Sequence, residues 1–404
     1  MPCREWLLAL LNLALTFFLV VSCAQEAPAP APTRMALAIP RDASTLANSV
    51  AGAVIRDPNA SFFDVRARRA YLSTATDSRL QGAMPSSRDC TRLEPVPPPK
   101  GRMVIPPFYL SGSSGPINPD YAPAERPYTQ FEYRLGLLAG LYVRFGEPSY
   151  ARCLVDLVRA WAQAGALLGY DVAESQQAWF QVEWSAAAAA LTYSIVRADS
   201  VITSEDHAQV EGWLNRVARR QISFPGGASG ASPSCCNNHA YWRGLEAVAV
   251  GLVSNDEEMF RWGLSKYYQA LSHMAEDGSW PYEMARHERA LHYQNFALEP
   301  LVMIAELADR QGINLYDASL GGRSLHRAVA FLVAALEDPT RVKKYAREEQ
   351  YVASFEPGKE DLGWMELYRR RYASPDLSRF LTKPVTTVRL GGNITLYSYR
   401  PAGE

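Results

Sequence analysis

Two short stretches of the chain concentrate side chains that can move protons and hold charge. The first is Ser234-Cys235-Cys236-Asn237-Asn238-His239-Ala240-Tyr241-Trp242-Arg243, the densest polar and aromatic cluster in the sequence, reached through the loop Pro225-Gly226-Gly227-Ala228-Ser229-Gly230. It lies where a loop enters a helix, so Asn237 or Asn238 suits a cap and His239 suits a hydrogen-bonded core position as well as a catalytic one. In the second stretch Arg286 and Tyr293 stand seven positions apart. That is about two helical turns, which puts both on one face if the helix reaches back to Arg286. The plainer alternative is a solvated charged turn followed by a core tyrosine. His292 is placed on another face, as a packing neighbour of Tyr293.

Other chemistries find little support. His239, His287 and His292 do not have structural-zinc spacing, and the chain contains no HExxH, GxSxG, phosphate-binding loop or dinucleotide fingerprint. Neither a metal nor a cofactor is expected. Glycoside hydrolysis needs two facing carboxylates, and Glu183 and Glu283 keep that reading open on inventory. Trp179, Trp184, Trp242 and Trp280 are core residues by default and sugar platforms second.

The chain has 404 residues, 48% of them hydrophobic, which suffices for one large core. A net charge of −1 gives no global argument for nucleic acid or an anionic membrane, so a polyanion would have to be met by local charge. Residues 1–24 carry Arg4, an apolar run from Trp6 to Val21 and the small residues Ser22-Cys23-Ala24, and read as a secretion signal. Cleavage after Ala24 and a lipobox with Cys23 as a lipidated outer-membrane anchor both fit. The expected location is the periplasm or outside the cell, with membrane anchoring through Cys23 as the variant. Residues 25–45 are a Pro/Ala-rich linker, and 46–404 are expected to form a single catalytic domain. Cys90, Cys153, Cys235 and Cys236 remain in the mature chain, and adjacency alone favours free thiols at Cys235 and Cys236, because neighbouring Cα atoms about 3.8 Å apart lie below the usual disulfide range.

The elements that must position these residues are helices. From about Tyr128 onward amphipathic patterns follow one another with short breaks. One carries Leu154, Leu157, Val158 and Trp161; the next spans 184–195; another starts at Thr203, with Asp206 completing a capping pattern and Val210, Trp213, Leu214 and Val217 on one face. Further helices are predicted over 241–253, 256–275, 289–311 and 325–336, joined closely enough to form antiparallel hairpins. A bundle and a closed ring of helix pairs both fit this pattern. Residues 101–125 are rich in proline and glycine and are read as a long loop, a candidate lid holding Phe108, Tyr109 and Tyr121. Thr386 to Arg389 and Asn393 to Tyr397, around Gly391-Gly392, suggest a small C-terminal hairpin.

Jointly these segments resemble the alginate lyases of polysaccharide lyase family 5. The resemblance rests on Asn-Asn-His-x-Tyr-Trp at 237–242, on Arg286 to Tyr293 followed by Asn295-Phe296-Ala297-Leu298-x-Pro-Leu, and on Trp213-Leu214-Asn215-Arg216-Val217-Ala218-Arg219. Tyr109-Leu110-Ser111-Gly112, Asn118-Pro119-Asp120-Tyr121 and Arg389-Leu390-Gly391-Gly392 extend it over roughly residues 50 to 400. The family likeness implies an all-α fold, an α/α toroid built as an incomplete ring of antiparallel helix hairpins. It implies Asn238, His239, Arg286 and Tyr293 as catalytic residues. Tyr109, Tyr121, Gln177, Trp184, Trp242 and Arg389 are the candidate substrate-binding residues. It also implies disulfides Cys90–Cys153 and Cys235–Cys236, against the reading from spacing. Phe108 and Phe180 depart from the basic residue and the tyrosine common in relatives.

The implied activity is that of a poly(β-D-mannuronate) lyase, cleaving 4-O-linked mannuronate by β-elimination and leaving an unsaturated uronate. Its partner would be alginate, with no nucleic acid or protein partner evident. Such a reaction must neutralise the substrate carboxylate while the C5 proton leaves, which suits Arg286 and Asn238, with His239 as donor or base. In mannuronate the C5 hydrogen and the C4 oxygen share one side of the ring, so Tyr293 alone can take one proton and return one. The alternatives are a polyuronate-binding lipoprotein and a glycoside hydrolase on the same fold.

Overall fold

The computed structural model describes residues 50–112, 114–224 and 233–401. The signal segment, the linker to 45 and the loop Pro225 to Gly230 lie outside them. The described part is helical: α1 Val65–Leu72, α2 Ser78–Ala83, α3 Tyr121–Phe145, α4 Pro148–Gln163, α5 Gln176–Val196, α6 Ser204–Ile222, α7 Asn238–Val253, α8 Glu257–His273, α9 Pro281–Met284, α10 Ala290–Arg310, α11 Leu325–Glu337, α12 Gly363–Arg369 and α13 Ile394–Ser398. A two-residue pairing of β1 Ser319–Leu320 with β2 Arg323–Ser324 is the only sheet among the described residues.

The long helices form two concentric rows. α3, α5, α7 and α10 pack side by side in that order, and α4, α6, α8 and α11 lie outside them. Burial follows position in the rows. All of α7 is buried, and so is α5 from Gln181 to Val196, where the alanine run 186–190 has no polar face and lets neighbouring backbones approach. The outer α6 is amphipathic, burying Val210, Trp213, Leu214 and Val217. It begins with the capping box predicted from Thr203 and Asp206, each side chain bonded to the other's backbone N–H. This is the incomplete α/α ring. In α4, Leu154, Val158 and Trp161 are buried and Leu157 is partly so.

Four expectations need correction. Helix α3 begins at Tyr121, not near Tyr128: Pro123 falls in the first turn, where a missing N–H is harmless, so the loop ends at Asp120. The C-terminal hairpin does not form. Val388–Leu390 is a 3-10 turn, a single bridge joins Thr387 to Gly392, and the predicted second strand is α13, capped by the Asn393 side chain on the Leu396 N–H. Gly392, at φ +113°, sits so close to Gly136 that a Cβ would lie 2.6 Å from its Cα, so packing against α3 overrides strand propensity. Third, α10 does not reach back to Arg286, because His287 adopts φ 52° and a 3-10 turn over His287–Arg289 intervenes. Last, Cys235 and Cys236 are bridged, as are Cys90 and Cys153, so the adjacency argument for free thiols fails while the implied pairings hold.

Candidate active site

The inner row and the 101–120 loop enclose a cavity of about 660 Å³. Asn237 closes the N-terminus of α7 by accepting from the His239 N–H at 3.1 Å, which sets the first turn and brings His239 into the cavity wall. Behind that wall, the imidazole Nδ1 lies 2.7 Å from Glu183 Oε1, and its ring stacks on Phe180 with centroids 3.4 Å apart. Burial first, then Arg286, Arg243 and Arg389, push His239 well below the usual histidine range.

Asn238 stands one layer back. It is fully buried, and Glu283 accepts from its backbone N at 2.6 Å and from its Nδ2 at 3.0 Å, while Oδ1 has no hydrogen-bond partner among the described residues. Burial pushes the Glu283 carboxyl up to about 7 against the pull of Arg286. Glu183 and Glu283, the two carboxylates that kept hydrolysis open, are thus both fully buried and committed to neighbouring residues. They do not form a facing pair across a cleft.

Arg286 and Tyr293 do converge, by a route other than a shared helical face. The turn at His287 folds Arg286 back so that its guanidinium lies 3.7 Å from the centroid of the Tyr293 ring. Arg286 makes no ion pair among the described residues, and its Nε has no hydrogen-bond partner there. The Tyr293 hydroxyl donates to the Tyr109 hydroxyl at 3.2 Å. Tyr109 reaches it because the loop doubles back: Leu110 N donates to Pro116 O, Asn118 N to Phe108 O, and Gly115 N to Glu288 Oε1 at 3.0 Å. Phe108 packs edge-on against both Tyr109 and Tyr121, which buries all three rings wholly or in part beneath the loop. Burial and the neighbouring Tyr293 raise the Tyr109 phenol above its ordinary value.

Arg389 also lines the cavity, 4.0 Å above the Trp184 ring, with Nη2 3.1 Å from Glu125 Oε1. Burial works against its charge, but Glu125, Tyr121, Glu132 and Glu360 outweigh it and hold the guanidinium above its ordinary value. Tyr121, Gln177 and Trp184 are in the wall as well. Trp242 is not: it is fully buried, 5.2 Å behind the Phe296 ring, because its position on the fully buried α7 turns it into the core. Trp179 and Trp280 are likewise core.

Three wall or support residues escaped the sequence reading. His292 lines the cavity instead of only packing on Tyr293, and burial, then Arg289 and Arg286, lower it to about 4. Its position next to Tyr293 on a helix entering the site was the available signal. Glu360 and Asp361 come from a loop far along the chain, and no local pattern marks them.

A family model described as alginate lyase matches residues 71–342. A polysaccharide lyase of Stenotrophomonas maltophilia is 29% identical over 315 residues, covering 75% of this chain and 89% of its own length. An alginate lyase of Pseudomonas fluorescens is 30% identical, covering 65% and 70%. The crystal structure of alginate lyase A1-III from Sphingomonas species A1 superposes with a TM-score of 0.81 at 48% identity, over 86% of this chain and 98% of that one. That protein has also been solved as a Tyr→Phe and a His→Ala variant, each complexed with a tetrasaccharide, at TM-scores of 0.83 and 0.84.

Proposed function

The chain belongs to the alginate lyase family, and from that premise we propose that its cavity cleaves mannuronate-rich alginate with Tyr293 as the proton carrier. The observation that carries the reading is the Tyr293 and Tyr109 hydroxyls 3.2 Å apart, beside a guanidinium with no ion pair among the described residues.

Arg286 receives the carboxylate of the uronate whose C5 proton is lost. Paired there, the carboxylate can take up charge as the C5–H bond breaks, which is the step water alone stabilises poorly. Asn238, fully buried and bonded twice to Glu283, anchors the start of α7 at the cavity wall. The Tyr293 oxygen, its own proton first released to solvent, removes the C5 proton, the C4=C5 double bond forms, the bond from C4 to the bridging oxygen breaks, and the Tyr293 hydroxyl returns a proton to that oxygen. One group serves both transfers because the two positions share a face in mannuronate. Tyr109 hydrogen-bonds the Tyr293 oxygen and so positions it while the loop excludes water. Trp184 and Gln177 line the wall along which neighbouring sugars lie.

Block-defined alginates test the reading. Ultraviolet absorbance of the conjugated uronate should rise faster on mannuronate blocks than on guluronate blocks; equal rates would remove the single-tyrosine, one-face argument. The N-terminal pattern supports export, with loss of the first 22 or 24 residues. Mass spectrometry of the mature N-terminus distinguishes lipidated Cys23 from cleavage after Ala24, and an intact N-terminus in the cytosol would sink both.

A further inference from the structure

A neutral imidazole carries its single ring proton on one nitrogen or the other, and at His239 which one decides whether the histidine gives or takes a proton in the cavity. The answer lies in three residues behind it. Glu183, on α5, is fully buried with both oxygens engaged: Oε1 2.7 Å from His239 Nδ1 and Oε2 3.3 Å from Arg243 Nη1. Arg243 stands one turn beyond His239 on α7, donates through Nη2 to the Ser234 carbonyl at 2.6 Å and lies 4.3 Å over the Trp179 ring. A guanidinium only donates, so Glu183 Oε2 is an acceptor.

We propose that Glu183 is a positioning residue for the elimination: by accepting the Nδ1 proton it fixes His239 as the Nδ1–H tautomer and leaves Nε2 an acceptor, not a donor.

The opposite arrangement needs a proton on Glu183, whose O–H would then donate to Nδ1 and force the proton of the ring onto Nε2. The charge balance around Arg243 argues against it. Two buried carboxyls face this arginine, Glu183 and Glu246, and burial raises both while Arg243 opposes the rise. Neither oxygen of Glu246 has a hydrogen-bond partner among the described residues, whereas both oxygens of Glu183 do. A buried carboxylate without donors is the costlier ion. Glu246 therefore keeps its proton, and Glu183 carries the charge that Arg243 and the imidazole N–H meet. Burial, then Arg286, Arg243 and Arg389, disfavours a second proton on the ring, against the Glu183 carboxylate 2.7 Å away, which favours one.

The inference rests on His239 acting in the cleft, and its test does not depend on turnover. Full-length enzyme labelled with [¹⁵N]histidine is examined by multiple-bond ¹H–¹⁵N correlation near neutral pH, with His239 assigned by its loss in His239→Gln. The expected pattern is that of an Nδ1–H imidazole. In Glu183→Gln, whose amide can donate to Nδ1, the pattern should move to Nε2–H and kcat should fall about 100-fold or more while KM changes little. An Nε2–H imidazole or an imidazolium in the wild-type enzyme overturns the proposal whether or not the variant folds. So does a folded Glu183→Gln that keeps the Nδ1–H pattern and wild-type kcat. Full activity in His239→Ala with an Nδ1–H wild-type tautomer would instead remove His239 from the cleft reaction, a distinct failure.

Discussion

Two arginines line the same cavity and are treated in opposite ways. Arg389 is surrounded: Glu125 pairs with it, and Glu132, Glu360 and Tyr121 reinforce its charge. Arg286 makes no ion pair among the described residues: the buried Glu283 feels its charge, but its guanidinium rests on the face of Tyr293. A guanidinium satisfied by its own protein is part of the framework, and it gains little from a ligand. One left without an anion in a half-enclosed site is a receptor for the anion that arrives. Under the proposed mechanism the contrast puts the chemistry at the Arg286–Tyr293–Tyr109 group and accounts for how a chain of net charge −1 acts on a polyanion.

The sharpest way to break this comparison is to remove each arginine. Arg286→Ala should lower kcat about 1,000-fold, the loss of one charge-stabilising donor worth about 4 kcal/mol, and should leave Tm unchanged. Arg389→Ala should instead destabilise the fold by about 3 kcal/mol, since it strands Glu125, Glu132 and Glu360 together. Thermal unfolding and steady-state kinetics on the pair decide it, and equal losses of Tm would erase the distinction.

Tyr109→Phe probes the loop side of the reactive group. Losing one hydrogen bond to the Tyr293 oxygen should reduce kcat about tenfold, or about 1.4 kcal/mol, with Tm little changed. Amide exchange over 101–120 should slow when a mannuronate oligomer binds. Unchanged exchange at saturating ligand would make the loop a fixed wall.

The smallest effect belongs to the framework side. Burial pushes Glu132, which accepts from Gln181 and Ser185, up to about 7 from its ordinary 4.5. Between those values the folded protein holds a proton that the unfolded chain has released. Its contribution is complete below pH 4.5 and is lost as pH rises through 7, at no more than about 1.4 kcal/mol per pH unit. Glu132→Gln should flatten the fall of Tm between about pH 5 and 7. A slope as steep as the wild type's would refute the assignment.

How much of this was legible in the sequence depended on the range of the interaction. Helices α4 to α8, α10 and α11 announced themselves because period, caps and breaks are local properties, as the Thr203–Asp206 capping box shows. Asn238 and His239 were visible as part of the dense polar cluster where a loop enters a helix, and of the two asparagines offered as its cap Asn237 takes that place. Arg286 and Tyr293 were rightly paired for a partly wrong reason, since a left-handed His287 replaced the helical turn that spacing alone suggests. The roles of Glu183 and Glu283 were hidden because each acts on α7 from another segment, 56 and 45 positions away. The failed C-terminal hairpin has the same cause: contact with Gly136 on α3 decided the conformation of Gly392.

The central claim is that Tyr293 carries the proton, and the direct measurement is the rate of conjugated-uronate absorbance for Tyr293→Phe on polymannuronate beside its affinity for an unreactive mannuronate oligomer. The account predicts no detectable turnover with affinity within a few-fold of wild type, because the ring still packs on Arg286 and only the transferable proton is gone. A variant that keeps about a tenth of the wild-type rate, a barrier change of only about 1.4 kcal/mol, would contradict it.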